Sequence, residues 1–226
     1  MTPAPSRPPA PDRAPSKLRA SLATLAAGLG ALLFCLLNSA EAPAPAPGQG
    51  VRLFWLGMLL SLPLYLVPLG VALGLRGEAR TFLRRAFTWP RDFGFKPTLY
   101  ALLGLFAGQI ALGSLLPVTQ EQMAMELLAQ FSGPQLLLTV LPLCVGVPLL
   151  EELLFRGLIT VPGCTRLSIV LSALLFAMAH GLNGFVLPLS FVGLLLGCVA
   201  ARTGSLLPGI VLHGLFNLVN LCACLF

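Results

Sequence analysis

"LLLTVLPLCVGVPLLEELLFRGLITV", residues 136–161, decides how the chain is read. Apolar side chains fill it almost throughout, yet Glu151, Glu152 and Arg156 stand in its second half. A helix needs about 20 apolar residues to cross about 30 Å of hydrocarbon, and this run is long enough. A charge near the bilayer centre costs at least about 2.5–3.5 kcal/mol, so an ionisable group kept there marks a functional site by default. The segment therefore predicts a membrane helix that carries chemistry.

The rest of the 226-residue chain is of the same kind. It is 57% hydrophobic and 10% charged, against roughly 25% charged for a soluble domain. Apolar runs mark seven candidate spans, at approximately 19–39, 52–75, 98–118, 137–160, 166–182, 185–201 and 205–225. The predicted fold is an all-α membrane protein: a polytopic helical bundle of about seven transmembrane helices with an intramembrane polar site. Residues 1–16, rich in Pro and Ala, are predicted to be a disordered cytoplasmic tail. Residues 17–226 form the integral membrane domain, joined internally by a Pro/Ala/Gly loop at 41–50.

The net charge of +6 does not indicate nucleic acid, because the basic residues flank apolar spans and build no basic domain. They read instead as topology signals. Arg7, Arg13, Lys17 and Arg19 precede or open the first span; Arg76, Arg80, Arg84, Arg85, Arg91 and Lys96 crowd 76–97. Arg166 and Arg202 lie in later connections, while 40–50 and 119–134 hold no Lys or Arg. The positive-inside rule then puts the N-terminus in the cytoplasm and the C-terminus outside. The compact chain suggests a bacterial inner membrane. Within 76–97, "EARTFLRRAF" (78–87) is predicted to be a short amphipathic helix anchored at the anionic inner leaflet. The six cysteines contain no CxxC pair and read as small buried hydrophobes.

Inside the spans, polar residues are few. His180 and His213 are the chain's two histidines, and both fall in predicted spans; Asn217 accompanies His213. Glu152 and Arg156 are four apart and stack on one helix face as a pair. Glu151 lies about 100° round the helix, away from that cation. A buried carboxyl without a cation holds a proton more readily, which suits general acid–base work. His213 and Asn217 are also four apart and project into one space. Phe176 stands one turn before His180. At 1.5 Å per residue, these groups can share one layer of the bundle. A polar network that only joins helices, and a proton or ion pathway, remain the alternatives.

Three motifs then suggest a family. "EELLFR" (151–156) looks like EExxxR, "FAMAH" (176–180) like FxxxH, and "HGLFN" (213–217) like Hxxx(N/D). With their order and separation, the chain resembles the CPBP intramembrane proteases, which include type II CAAX prenyl endopeptidases and bacterial Abi-type and bacteriocin-processing proteins. The motif core covers about 137–220. The resemblance implies that Glu151 activates the attacking water, that His180 holds or polarises it, and that His213 and Asn217 stabilise the oxyanion. Glu152 and Arg156 would brace the site, with Phe176 supporting it. The implied partners are the lipid bilayer and a membrane-anchored or lipid-modified protein cleaved near its C-terminus. No HExxH is present. His180, His213 and Glu151 would supply a three-ligand zinc set with an open position, but a ligating Glu151 is lost as the base. The preferred reading therefore has no cofactor and no metal. A proton- or ion-coupled transporter, and a non-catalytic scaffold or immunity protein, are the competing functions.

Overall fold

The computed structural model describes residues 17–38, 48–76, 79–114, 130–160, 165–180 and 186–223. The predicted tail at 1–16, most of the 41–50 loop and the "GLNG" break at 181–184 lie outside the described residues.

The described residues form eight helices and no strand. They are α1 (Lys17–Asn38), α2 (Gly50–Arg76), α3 (Ala79–Ala86), α4 (Phe95–Gly113), α5 (Gly133–Thr160), α6 (Arg166–Ala179), α7 (Val186–Thr203) and α8 (Leu207–Ala223). Seven of them coincide with the seven apolar runs, and α3 is the short basic helix. By length and composition, α2, α4, α5 and α7 can each cross a membrane. α6 and α8 have 14 and 17 residues, fewer than the roughly 20 a full crossing needs. This corrects the fifth predicted span, which ran to 182 with His180 inside it. α6 stops at Ala179, and His180 is its C-terminal cap, at φ −90° and ψ 7°.

α5 is the irregular element. Pro142–Gly146 and Glu152–Thr160 are π-helical, with wide turns on either side of the short α-helical stretch Val147–Glu151. Every side chain from Glu152 to Thr160 is buried. Hydroxyls from neighbouring helices help satisfy the carbonyls of this stretch. Ser172 of α6 donates to the Phe155 carbonyl at 2.8 Å, and Thr24 of α1 donates to Leu158 at 3.0 Å.

Small residues set the helix crossings, as expected where lipid supplies no hydrophobic drive between helices. A Cβ on Gly193 of α7 would come within 2.9 Å of the Ala173 backbone of α6. Many large apolar side chains face outward, among them Leu59, Leu60, Ile110 and Leu137. Cys198 and Cys222 are exposed and free. Their predicted burial fails because an apolar residue on a lipid-facing surface has no need of a protein core.

Two sets of contacts define the bundle's ends. At one end, Leu206 N–H donates to Ala86 O at 2.9 Å, and Ser205 Oγ donates to Ala86 O and Thr88 O. Arg84 and Arg202 are exposed in these connections. At the other end, Gly50 N–H donates to Gln130 Oε1 at 2.9 Å, and Phe54 meets Phe131 edge-on.

Candidate active site

Glu151 and Glu152 sit where α5 passes into its second wide stretch, and they are 1% and 0% exposed. Arg156 Nη1 stands 3.1 Å from Glu152 Oε1, the predicted pair. Arg156 Nη2–H also donates to Gly193 O at 3.2 Å, and its guanidinium lies 4.4 Å from the Phe176 ring centre.

The two carboxylates do not part company as simple helical geometry predicts. His213 lies between them, with Nδ1 3.3 Å from Glu152 Oε1 and Nε2 3.6 Å from Glu151 Oε2. A π turn holds more residues than an α turn, so successive side chains diverge by less than 100°. One imidazole can therefore face both.

His180 reaches the same place from the end of α6. Its Nε2 is 3.7 Å from Glu151 Oε1, and its Nδ1 is 2.8 Å from Phe176 O. A carbonyl can only accept, so Nδ1 carries the hydrogen. In the neutral ring, Nε2 is then an acceptor turned toward Glu151. The Phe176 ring backs both histidines, at 4.8 Å from His180 and 5.6 Å from His213, centre to centre.

Asn217 is held by a defect in α5. Val147 N–H reaches five residues back to Pro142 O. The Leu143 carbonyl would next look to residue 148, a proline with no N–H. Asn217 Nδ2 donates to Leu143 O instead, at 2.9 Å. An amide nitrogen has two hydrogens, so one N–H stays available.

α8 comes this close because Gly214 has no side chain: a Cβ there would run into the Cys144 carbonyl oxygen. Backbone cannot step aside as a side chain can. Gly214→Ala is expected to push α8 off α5 and to cost about 1–3 kcal/mol, read as a lowered unfolding temperature in detergent. Unchanged stability together with unchanged activity would count against this packing account.

One site residue was not found in the sequence. Tyr65 of α2 is buried, and its hydroxyl donates to Glu151 Oε1 at 2.7 Å. A signal was available: a phenol in the apolar run "SLPLYLVPL" (61–69) needs a polar partner.

Glu151, His180, His213, Asn217, Phe176 and Tyr65 line one cavity of about 650 Å³, closed on the α2 side by residues that include Phe54, Gly57 and Met58. Glu151 Oε2 is buried there without a hydrogen-bond partner among the described residues. No group of three or more His, Cys, Asp or Glu among the described residues is placed to hold a metal ion. The set His180, His213 and Glu151 is not among such groups. The chemistry on offer is that of a buried carboxylate oxygen, two imidazoles and an amide.

Residues 133–219 match the family model described as type II CAAX prenyl endopeptidase Rce1-like. That stretch opens with α5 and takes in every site residue above except Tyr65. An "Uncharacterized 24.3 kDa protein" of Escherichia coli is 31% identical over 132 residues, covering 54% of this chain and 61% of that protein. No solved structure matches. The three motifs, which converge on one cavity, lie within the stretch, residues 133–219, that is similar to the Rce1-like type II CAAX prenyl endopeptidase (CPBP) family.

Proposed function

We propose that the protein is an intramembrane endopeptidase. It hydrolyses a peptide bond in a membrane-anchored or lipid-modified protein, near that protein's C-terminus. One observation carries the reading: Glu151 is buried and lines one cavity with His180, His213 and Asn217, its Oε2 without a hydrogen-bond partner among the described residues.

Water enters between Glu151 and His180, donating one hydrogen to each acceptor. Its oxygen attacks the carbonyl carbon as Glu151 takes a proton. The carbonyl oxygen becomes an oxyanion. The second N–H of Asn217 donates to it, as does His213 Nε2 when that ring carries both protons. Glu151 then passes its proton to the departing nitrogen, the C–N bond breaks, and an acid and an amine leave. Glu152 and Arg156 hold His213 and Phe176 in place throughout. Apolar side chains in the cavity wall, among them Leu53, Met58 and Leu189, lower the local polarity, which strengthens each of these electrostatic contacts.

The membrane placement belongs to the same proposal. Seven helices span or enter a bacterial inner membrane, with the N-terminus cytoplasmic and the C-terminus outside. Four helices of crossing length support it, as do the exposed Arg84 and Arg202 near the contact of Leu206 with Ala86.

Quantitative proteomics of membranes tests the reading. A strain lacking this chain is expected to accumulate one or more uncleaved precursors. Wild-type protein should restore cleavage, and Glu151→Gln should not. The new C-terminus in the restored strain identifies the bond. The same protein pattern in all three strains would remove the proposal, and proton- or ion-coupled flux in proteoliposomes would replace it with transport.

A further inference from the structure

We propose that Tyr65 is a positioning residue for Glu151: its hydroxyl holds Oε1 and so fixes the rotation of the carboxylate that activates water. The inference rests on the endopeptidase reading and extends the site to a helix outside the matched domain.

The geometry carries it. The Tyr65 to Glu151 distance of 2.7 Å is that of a well-formed O–H···O bond. The two histidine nitrogens stand at 3.6 and 3.7 Å, outside hydrogen-bond reach. A glutamate whose terminal torsion is broad does not choose an oxygen by itself. The phenol makes that choice. It binds Oε1, and Oε2 is left beside His213 without a hydrogen bond among the described residues.

The helix around Tyr65 is built to stay put. Pro63 and Pro68 lie within α2 on either side of it. Each removes an N–H from the ladder and bends the helix locally. α1 clamps the second of these prolines, because Gly30 lacks the Cβ that would collide with the Pro68 ring. The Tyr65 ring is itself buried. α2 thus delivers one hydroxyl to a fixed point, 86 residues away in sequence from its acceptor.

The test uses the full chain in detergent. Tyr65→Phe removes one oxygen and keeps the ring. Tyr100→Phe, at the exposed second tyrosine of the chain, is the control. The first readout needs no substrate. Infrared spectra of protein labelled with carbon-13 glutamate, referenced to Glu151→Gln, isolate the Glu151 carboxyl bands. Tyr65→Phe should shift them and Tyr100→Phe should not, both measured on monodisperse protein. The second readout is cleavage of the precursor found by proteomics. A hydrogen bond to a charged group is worth about 1.5–3 kcal/mol, so kcat should fall about 10- to 150-fold while KM stays within about twofold. Bands and kcat equal to wild type overturn the inference, as does a fall in kcat without a band shift. Glu151→Gln in the same assay separates the two failures. If it cleaves normally, the endopeptidase reading itself is lost. If it is inactive while Tyr65→Phe behaves as wild type, only the role of Tyr65 is lost.

Discussion

Glu151→Gln is expected to lower kcat by about 10²–10⁴-fold while leaving insertion, folding and KM unchanged. The amide has nearly the same shape as the carboxylate, and its oxygen can still accept from Tyr65. What it cannot do is take a proton from water. The loss therefore falls on the chemical step and not on binding, and the signature is a drop in kcat with constant KM. Fold should survive because the substitution leaves no charge behind. Arg156 keeps Glu152 at 3.1 Å, and His213 keeps Glu152 at 3.3 Å. Cleavage that persists in Glu151→Gln rules out Glu151 as the base.

Arg156→Met carries the largest expected effect on stability, about 3–5 kcal/mol of destabilisation. The guanidinium is fully buried, and so is its carboxylate partner. Removing the cation strands Glu152 as a buried charge with only His213 beside it. The Gly193 carbonyl loses the Arg156 donor and the Phe176 ring its cation. Unfolding in mixed micelles should show the loss directly. The double variant Glu152→Leu, Arg156→Met is expected to regain most of it, because an apolar pair carries no unpaired charge. It should remain inactive, since His213 Nδ1 then has no carboxylate to fix its ring. Wild-type stability in Arg156→Met would show that the pair does not brace the site.

The two variants also show what the sequence made legible. Glu152 and Arg156 could be paired from spacing alone, since residues four apart meet on any helix. His213 with Asn217, and Phe176 with His180, follow from the same rule, and apolar runs located the helices that carry them. Contacts between distant segments leave no such local trace. Tyr65 belongs to a helix with no motif, and nothing periodic links it to Glu151. The apolar surroundings of His180 place it inside the short fifth run, yet α6 stops one residue before it. Its side chain is 35% exposed as a result, which opens it to the cavity. The shared imidazole of the two glutamates was missed for a different reason. Angles of 100° per residue assume an α-helix, and α5 widens at Glu152.

Pro148 stands three residues before the first acid, inside a helix, where propensity counts it as a fault. Its missing N–H leaves the Leu143 oxygen vacant, and that vacancy is where Asn217 attaches. The aim of an amide on the last helix is therefore encoded by an atom that another helix lacks. Patterns that score only the residues presenting functional groups overlook this kind of instruction. In this fold, a hydrogen that is not there specifies the address of one that is.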